Sequence, residues 1–157
     1  MADIIGESVA AHIDCDFVAF LIGLRINKPW KIHKWLPAAL AMPRMLKELS
    51  ALPSDETGFL GYSSATTGVM VQYWRSYDHL EKYARSQDHT HFSTWNAFNK
   101  RIKGARADVG IWHETYLIKD GQYEAVYSGM PAFGLGKASS LVPATGKRSV
   151  SRSRLER

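Results

Sequence analysis

The order of apolar and polar segments between Asp16 and Lys119 restricts the fold of this chain more than any other feature of its sequence. Phe17 to Ile26 is nearly all apolar, which is typical of a strand covered on both faces. The next segments predict a helix over about Ile32–Ser50 and a two-stranded hairpin over about Phe59–Ser76. A second helix over about Ser76–Gly104 and a last strand over about Val109–Ile118 follow.

Strand, helix, strand, strand, helix, strand is the split β-α-β arrangement, the ferredoxin-like plan of an α+β protein. Both helices of such a unit lie on one face of its sheet, so the other face needs a partner. In the first strand that face carries Phe17, Ala19, Leu21 and Gly23, which are too apolar to be left in water. We therefore expect a homodimer with the two sheets face to face.

Length and charge predict one domain without a nucleic-acid surface. A chain of 157 residues can hold one ordinary core, here expected over residues 1–136 with a C-terminal extension. Residues 137–157 are rich in Ser, Lys and Arg, and we expect a disordered basic tail there. Of the net charge of +5, the segment 147–157 alone holds +4, so the body offers no phosphate-binding surface.

The sequence predicts a soluble, cytoplasmic protein that does not enter membranes. Cys15 is the single cysteine, which excludes an intrachain disulfide and suits a reducing compartment. The first residues lack the basic start and apolar stretch of a signal peptide. The longest apolar run, Phe17 to Leu24, is far shorter than the ~20 residues of a membrane helix.

Two segments are harder to assign. Residues 1–15 are mixed in character and predict an irregular arm. In the first helix, Ile32, Leu36, Leu40 and Met45 lie near helical spacing. Its two prolines, at positions 37 and 43, leave open whether it forms one helix or two short ones.

Two histidines of the second helix are candidate functional residues. If that helix is continuous, His91 lies about 20° from Leu80 on the apolar face and His89 lies opposite, in water. A break between Ser86 and Thr90 would change which of them points inward. A spacing of two is not the i, i+4 pair of a helical zinc site, so no metal is expected. A hydrogen-bonded core histidine is the structural alternative for His91.

The last strand carries a carboxylate between two aromatic residues. Glu114 shares one face with Trp112 and Tyr116, whereas His113 lies on the other. A buried carboxylate needs a partner, which Arg25 or Arg75 could supply. The pattern fits a catalytic base, and equally a structural ion pair at a dimer interface.

Gln72 and Trp74 share one face of the preceding strand. If the helices cover Val71 and Tyr73, then Gln72 and Trp74 face the partner sheet. Simple packing of a large aromatic residue is the alternative.

Several long strings of this sequence resemble one protein family. They are Leu24-Arg-Ile-Asn-Lys-Pro-Trp-Lys-Ile-His-Lys-Trp-Leu-Pro, Ala41-Met-Pro-Arg-Met-Leu, Val71-Gln-Tyr-Trp-Arg-Ser-Tyr-Asp-His-Leu-Glu-Lys-Tyr-Ala-Arg, Asp88-His-Thr-His, Val109-Gly-Ile-Trp-His-Glu-Thr-Tyr and Tyr123-Glu-Ala-Val-Tyr-Ser-Gly-Met-Pro. Over about residues 15–136 the chain resembles a monooxygenase-like family of unknown function, which takes its label from a fungal member assigned to fumagillin-type terpenoid biosynthesis. That label implies similarity to the antibiotic-biosynthesis monooxygenases, which are dimeric α/β barrels.

The resemblance implies a small oxidoreductase that needs no cofactor and acts on an apolar organic substrate, in the setting of secondary metabolism. Trp74, Trp112, Tyr116 and Gln72 would shape the substrate pocket. His91 or Glu114 would remove a proton, and Arg25 or Asn27 would stabilise the resulting anion.

Two alternatives stay open. Because some relatives of the wider group bind haem, the first is a haem protein of the same fold, with His89, His91 or His113 as axial ligand. The second is a module that binds a small ligand without chemistry.

Overall fold

A computed structural model of the chain describes residues 3–66, 68–86, 100, 103 and 107–155. The predicted site residues His89 and His91 lie outside these ranges. The described elements are β1 (Val9–His12), β2 (Phe17–Ile26), α1 (Ile32–Ser50), α2 (Ser54–Thr57), β3 (Phe59–Thr66), β4 (Val69–Trp74), α3 (Tyr77–Arg85), β5 (Val109–Ile118), β6 (Val126–Tyr127), α4 (Leu135–Ala138), β7 (Ser140–Pro143), a 3-10 turn (Gly146–Ser149) and α5 (Ser151–Leu155).

The main sheet is antiparallel, with strand order β3-β4-β2-β5. This is the order of the ferredoxin-like plan, so the predicted fold class is confirmed. The apolar strand β2 lies in the middle, paired with β4 on one side and along its whole length with β5 on the other. Residues packed on both faces of β2 explain why this strand is apolar on both, and its burial ends at Arg25 and Ile26, which are exposed.

Alternation along β2 divides the buried residues into two cores. On one face Val18 and Phe20 pack with Trp74 and with residues of α1 and α3; we call this the helix face. On the opposite face, here the outer face, Phe17 packs with Tyr73 and Tyr123. The helix face therefore holds the space between sheet and helices, where the fold can form a ligand site.

A second sheet, order β6-β1-β7, covers part of the outer face. Its central strand comes from residues 1–15 and one edge strand from residues 137–157, so the expected arm and the expected disordered tail are both wrong. Phe17 and Ala19 are buried by the same chain rather than by a second copy. Strands of two to four residues carry too little periodicity to be found in a sequence, because their pairing partners define them.

The helix α1 is continuous through Pro37 and Pro43. Its buried residues are Ala38, Leu46 and Leu49, whereas Ile32, Leu36 and Leu40 of the predicted stripe are exposed. The prediction that these residues form the buried face of α1 is therefore wrong except at Met45, which is half-buried and faces the sheet. Small alanines face the sheet instead, and their small size leaves space there.

The second predicted helix begins as expected. The Ser76 hydroxyl caps α3 by accepting a hydrogen bond from the backbone N–H of His79. The helix ends at Arg85, because Ser86 has extended backbone angles. Of the two alternatives left open by the sequence, a continuous helix and a break between Ser86 and Thr90, the structure has the break, at Ser86. Within the described residues, no helix has the length and apolar character needed to cross a membrane.

Candidate functional site

A cavity of about 430 Å³ lies between the helix face of the main sheet and α1. Trp35, Ala38, Ala39 and Met42 form its helix wall. Its floor comes mainly from β2, with one residue each from β4 and β5, at Ile22, Gly23, Leu24, Ile26, Met70 and Ile111. A volume of this size falls within the range of small-molecule sites, and an apolar wall suits an apolar organic ligand.

A smaller cavity of about 90 Å³ continues toward α3. It shares Ile22 and Met42 with the larger cavity, so the two spaces adjoin at these side chains. Gln72 and Tyr83 are the lining residues of this smaller cavity that carry a polar group. Burial, and then the charge of Glu48, raise the pKa of Tyr83 to about 12. This end of the site is therefore apolar with a few neutral polar groups.

Gln72 and Trp74 were expected to face a partner sheet if the helices covered Val71 and Tyr73, and the helices do not cover these two residues. Gln72 and Trp74 pair with Phe20 and Val18, which point to the helix face, whereas Val71 and Tyr73 lie on the outer face. Trp74 is fully buried against Phe59 and Tyr83, with ring centroids 5.1 and 5.3 Å away. The indole N–H donates to Gln72 Oε1 at 3.1 Å, which satisfies the polar atom that a buried tryptophan carries.

His113 lies on the helix face beside the two cavities. Its partner in β2 is Ile22, which lines both of them. Its imidazole is exposed and packs on Phe20, with ring centroids 5.6 Å apart. The structure therefore puts an accessible base next to the apolar floor, at a residue that the sequence suggested only as a haem ligand.

Glu114 does not face these cavities, so the expectation of an inward carboxylate is wrong. It lies on the outer face, exposed, and accepts a hydrogen bond of 2.6 Å from the Tyr116 hydroxyl. That hydrogen bond raises the pKa of Tyr116. Trp112, on the same face, lies over Gly23 and is 38% exposed. Aromatic side chains shield Glu114 less than the sequence pattern suggested, because the strand is at the edge of the sheet.

Arg25 is not the partner of Glu114. It pairs with Gly110, four residues along β5 from Glu114, a distance of about 13 Å at ~3.3 Å per residue. The alternative partner, Arg75, forms its ion pair with Asp55 at 3.4 Å instead. Asn27 is exposed, and its backbone N–H donates to the Asp108 carbonyl at 2.9 Å. Neither Arg25 nor Asn27 lines the cavities.

A buried carboxylate holds the start of α1 beside β5. Asp108 binds Lys28 Nζ at 2.8 Å and Lys31 Nζ at 3.0 Å. The hydrogen bonds from Lys28 and then Lys31 lower the pKa of Asp108. This cluster fixes the loop that connects the cavity floor to its helix wall.

Sequence reasoning missed the helix wall of the site. Trp35, Ala38, Ala39 and Met42 recur at three- and four-residue intervals, but alanines give a weak apolar signal beside leucine and isoleucine. Within the described ranges, no three His, Cys, Asp or Glu side chains are grouped to hold a metal ion.

Comparisons with known proteins identify a sequence family for most of the chain. The sequence model of the monooxygenase af470-like family matches residues 17–135, which include both cavity walls. Monooxygenase af470 of Aspergillus fumigatus is 26% identical over 129 residues, covering 76% of this chain and 45% of that protein. The chain thus spans about half the length of this curated relative.

A solved structure shares the fold at low identity. A crystal structure of aldoxime dehydratase in complex with butyraldoxime superposes with a TM-score of 0.65 at 14% identity. It covers 96% of this chain and 43% of the dehydratase chain. At this identity the similarity concerns the fold.

Proposed function

Because the chain belongs to the monooxygenase af470-like family, we propose that it is a small oxidoreductase that oxidises an apolar organic substrate of secondary metabolism. The cavity of about 430 Å³ between the main sheet and α1 carries this proposal. Its walls offer dispersion contacts and exclude water, which suits a carbon-rich molecule.

His113 is the proposed base, because it lies on the helix face next to residues that line both cavities. An imidazole can remove a proton from an activated CH₂ group near neutral pH. The carbanion then reduces O₂. One oxygen atom becomes the carbonyl of the product and the other leaves as water, so that CH₂ + O₂ gives C=O + H₂O. This balance needs no external reductant and no bound cofactor.

The described residues fit haem less well. His113, the candidate ligand among the described residues, packs its ring on Phe20 and does not line the larger cavity, so it offers no axial nitrogen to a group bound there. An absorbance spectrum of the purified protein tests this directly, since a Soret band would establish the haem alternative.

Anthrone is a suitable first probe, since its CH₂ group is activated and its body is apolar. We expect oxygen uptake and incorporation of one atom of ¹⁸O₂ into anthraquinone. Ala39→Phe, which fills the cavity wall, is expected to abolish the reaction, whereas Ala51→Phe, on the exposed end of α1, should not. Binding of anthrone without oxygen uptake would favour the non-catalytic binding module. Equal activity in both variants would show that the reaction occurs elsewhere.

His113→Gln tests the base. General-base catalysis contributes about 10²–10⁴-fold, so a loss of at least about 10² in turnover is expected with the fold intact. His33→Gln, at an exposed position of α1, is the matched control. Full activity of His113→Gln would leave His91 as the candidate base from the sequence.

A further inference from the structure

Gln72 is a polar side chain in an otherwise apolar part of the protein. It is 6% exposed and lines the smaller cavity beside Phe20, Ile22 and Met42. A buried primary amide is costly unless its oxygen and its N–H groups have partners.

Trp74 fixes the orientation of this amide. The indole N–H is a donor and never an acceptor, so the atom that faces it at 3.1 Å must be the Gln72 oxygen. Trp74 is fully buried and held by Phe59 and Tyr83 on its ring. The amide therefore cannot rotate by half a turn without breaking a buried hydrogen bond.

The Gln72 nitrogen keeps unused donor capacity. Its two N–H groups have a thioether, Met42 Sδ at 3.9 Å, as their hydrogen-bond partner among the described residues. Sulfur in a thioether is a weak acceptor, and it can serve one N–H at most. The nitrogen contacts Met42, a residue that lines both the smaller and the larger cavity.

We infer that the Gln72 amide selects ligands that carry an acceptor oxygen, a carbonyl or its enolate, at the inner end of an apolar body. The inference rests on the proposed substrate cavity and names the chemical class that fits it. The apolar body occupies the larger space, and the oxygen accepts from Gln72 Nε2 in the smaller one. Because this N–H gains a full hydrogen-bond partner only when the ligand binds, a ligand with an acceptor oxygen binds more tightly than a hydrocarbon of the same shape.

The same donor suits the proposed reaction. Gln72 and the proposed base His113 lie on β4 and β5, on opposite sides of β2. Their β2 partners, Phe20 and Ile22, are two residues apart, so two strand spacings across and two residues along the strand separate them by about 12 Å. A ketone held by Gln72 would place its neighbouring CH₂ group over β2, between donor and base. Negative charge that develops on the oxygen would strengthen the hydrogen bond from Gln72.

Two ligands of the same shape test the inference on the unmodified protein. 2-Acetonaphthone carries a carbonyl where 2-isopropenylnaphthalene carries a CH₂ group. We expect the ketone to bind about fivefold more tightly, the usual value of one neutral hydrogen bond. The infrared carbonyl stretch of the bound ketone should move to lower frequency than in hexane. Equal affinities, or an unshifted stretch, would overturn the inference.

Variants identify the donor. Gln72→Leu should bind both ligands equally, whereas Gln122→Leu, the same change at an exposed position away from the cavities, should keep the preference. A preference that persists in Gln72→Leu would assign the donor to another residue. If Gln72→Leu fails to fold, the ligand pair and the infrared shift in the unmodified protein still decide. If neither ligand binds, both this inference and the proposed cavity are overturned. If both ligands bind equally well and Ala39→Phe abolishes the binding of both, the cavity stands and this inference alone is overturned.

Discussion

At the scale of single residues, Gly23 shows why one position of a central strand has no side chain. A Cβ atom built there would lie 2.3 Å from Trp112 Nε1, so the indole occupies the place of the missing side chain. The glycine thus lets an edge-strand aromatic lie flat on the outer face, and it also forms part of the cavity floor on the helix face.

Gly23→Ala should displace the Trp112 ring and lower the free energy of unfolding by about 1–3 kcal/mol. Urea unfolding followed by tryptophan fluorescence measures both effects. Gly110→Ala is the control, because its Cβ would meet Arg25 Cβ at an ordinary 3.7 Å. The double variant Gly23→Ala/Trp112→Ala should show no further cost from the added methyl. A full cost in that background would show that the indole is not the obstacle.

Tyr83 makes the stability of the folded chain depend on pH in the alkaline range. Its pKa is raised from 10.0 to about 12 in the folded chain, by burial and then by Glu48. Above pH 10 the unfolded chain has released this proton while the native chain still holds it. Stability therefore falls with pH from about 10, and the contribution is lost by about 12.

Tyr83→Phe should therefore reduce the alkaline loss of unfolding free energy relative to the unchanged protein. The measurement is urea unfolding above and below pH 10. Tyr77→Phe controls for the loss of a hydroxyl from the same helix. An identical pH profile for Tyr83→Phe and the unchanged protein would contradict a raised pKa at this residue.

At the scale of elements, the C-terminal segment is part of the folded body. β7 pairs with β1, and α5 places Arg154, 5% exposed, against Glu124. Arg154 Nε donates to Glu124 Oε1 at 2.8 Å, and its guanidinium also binds the Arg148 carbonyl. The pairing of β7 with β1 and this partly buried ion pair therefore attach the basic segment that its composition suggested was disordered.

Arg154→Ala should lower the free energy of unfolding by about 3 kcal/mol, because it leaves Glu124 without its cation. Arg152→Ala, exposed on the same short helix, should change it by less than about 0.5 kcal/mol. Thermal melting and limited proteolysis of both variants measure the difference. Equal melting temperatures would show that the tail contributes nothing to the fold, as its composition had suggested.

At the scale of the whole molecule, the second sheet covers only part of the outer face. Beyond Phe17 and Ala19, that face continues with half-buried Leu21 and Val71 and with the exposed rings of Trp112 and Tyr116. We propose that a second copy covers this remainder.

Light scattering should therefore give twice the 17.6 kDa of the chain. Trp112→Arg places a charge in the proposed interface and should yield a folded monomer. Trp30→Arg, at a tryptophan that is 73% exposed on the loop before α1, should leave the dimer intact. A folded monomer of the unchanged protein at micromolar concentration would contradict the proposal.

The sequence by itself determined the elements that carry their own signal. The bounds of β2 and β5 agree with the expected Phe17–Ile26 and Val109–Ile118, because a long apolar run or a long alternation is set by local chemistry. The Ser76 cap and the hairpin between β3 and β4 follow from side chains that act within a few residues.

Only the tertiary structure decided which face each residue occupies. Alternation places Gln72 with Trp74 and Glu114 with Tyr116, but the side that the helices cover depends on long-range packing. On the helix face, Trp74 is stabilised by the hydrogen bond from its indole N–H to Gln72 and by ring contacts with Phe59 and Tyr83. The second sheet could not be predicted from the sequence for the same reason, because β1, β6 and β7 form by pairing between segments that are distant along the chain.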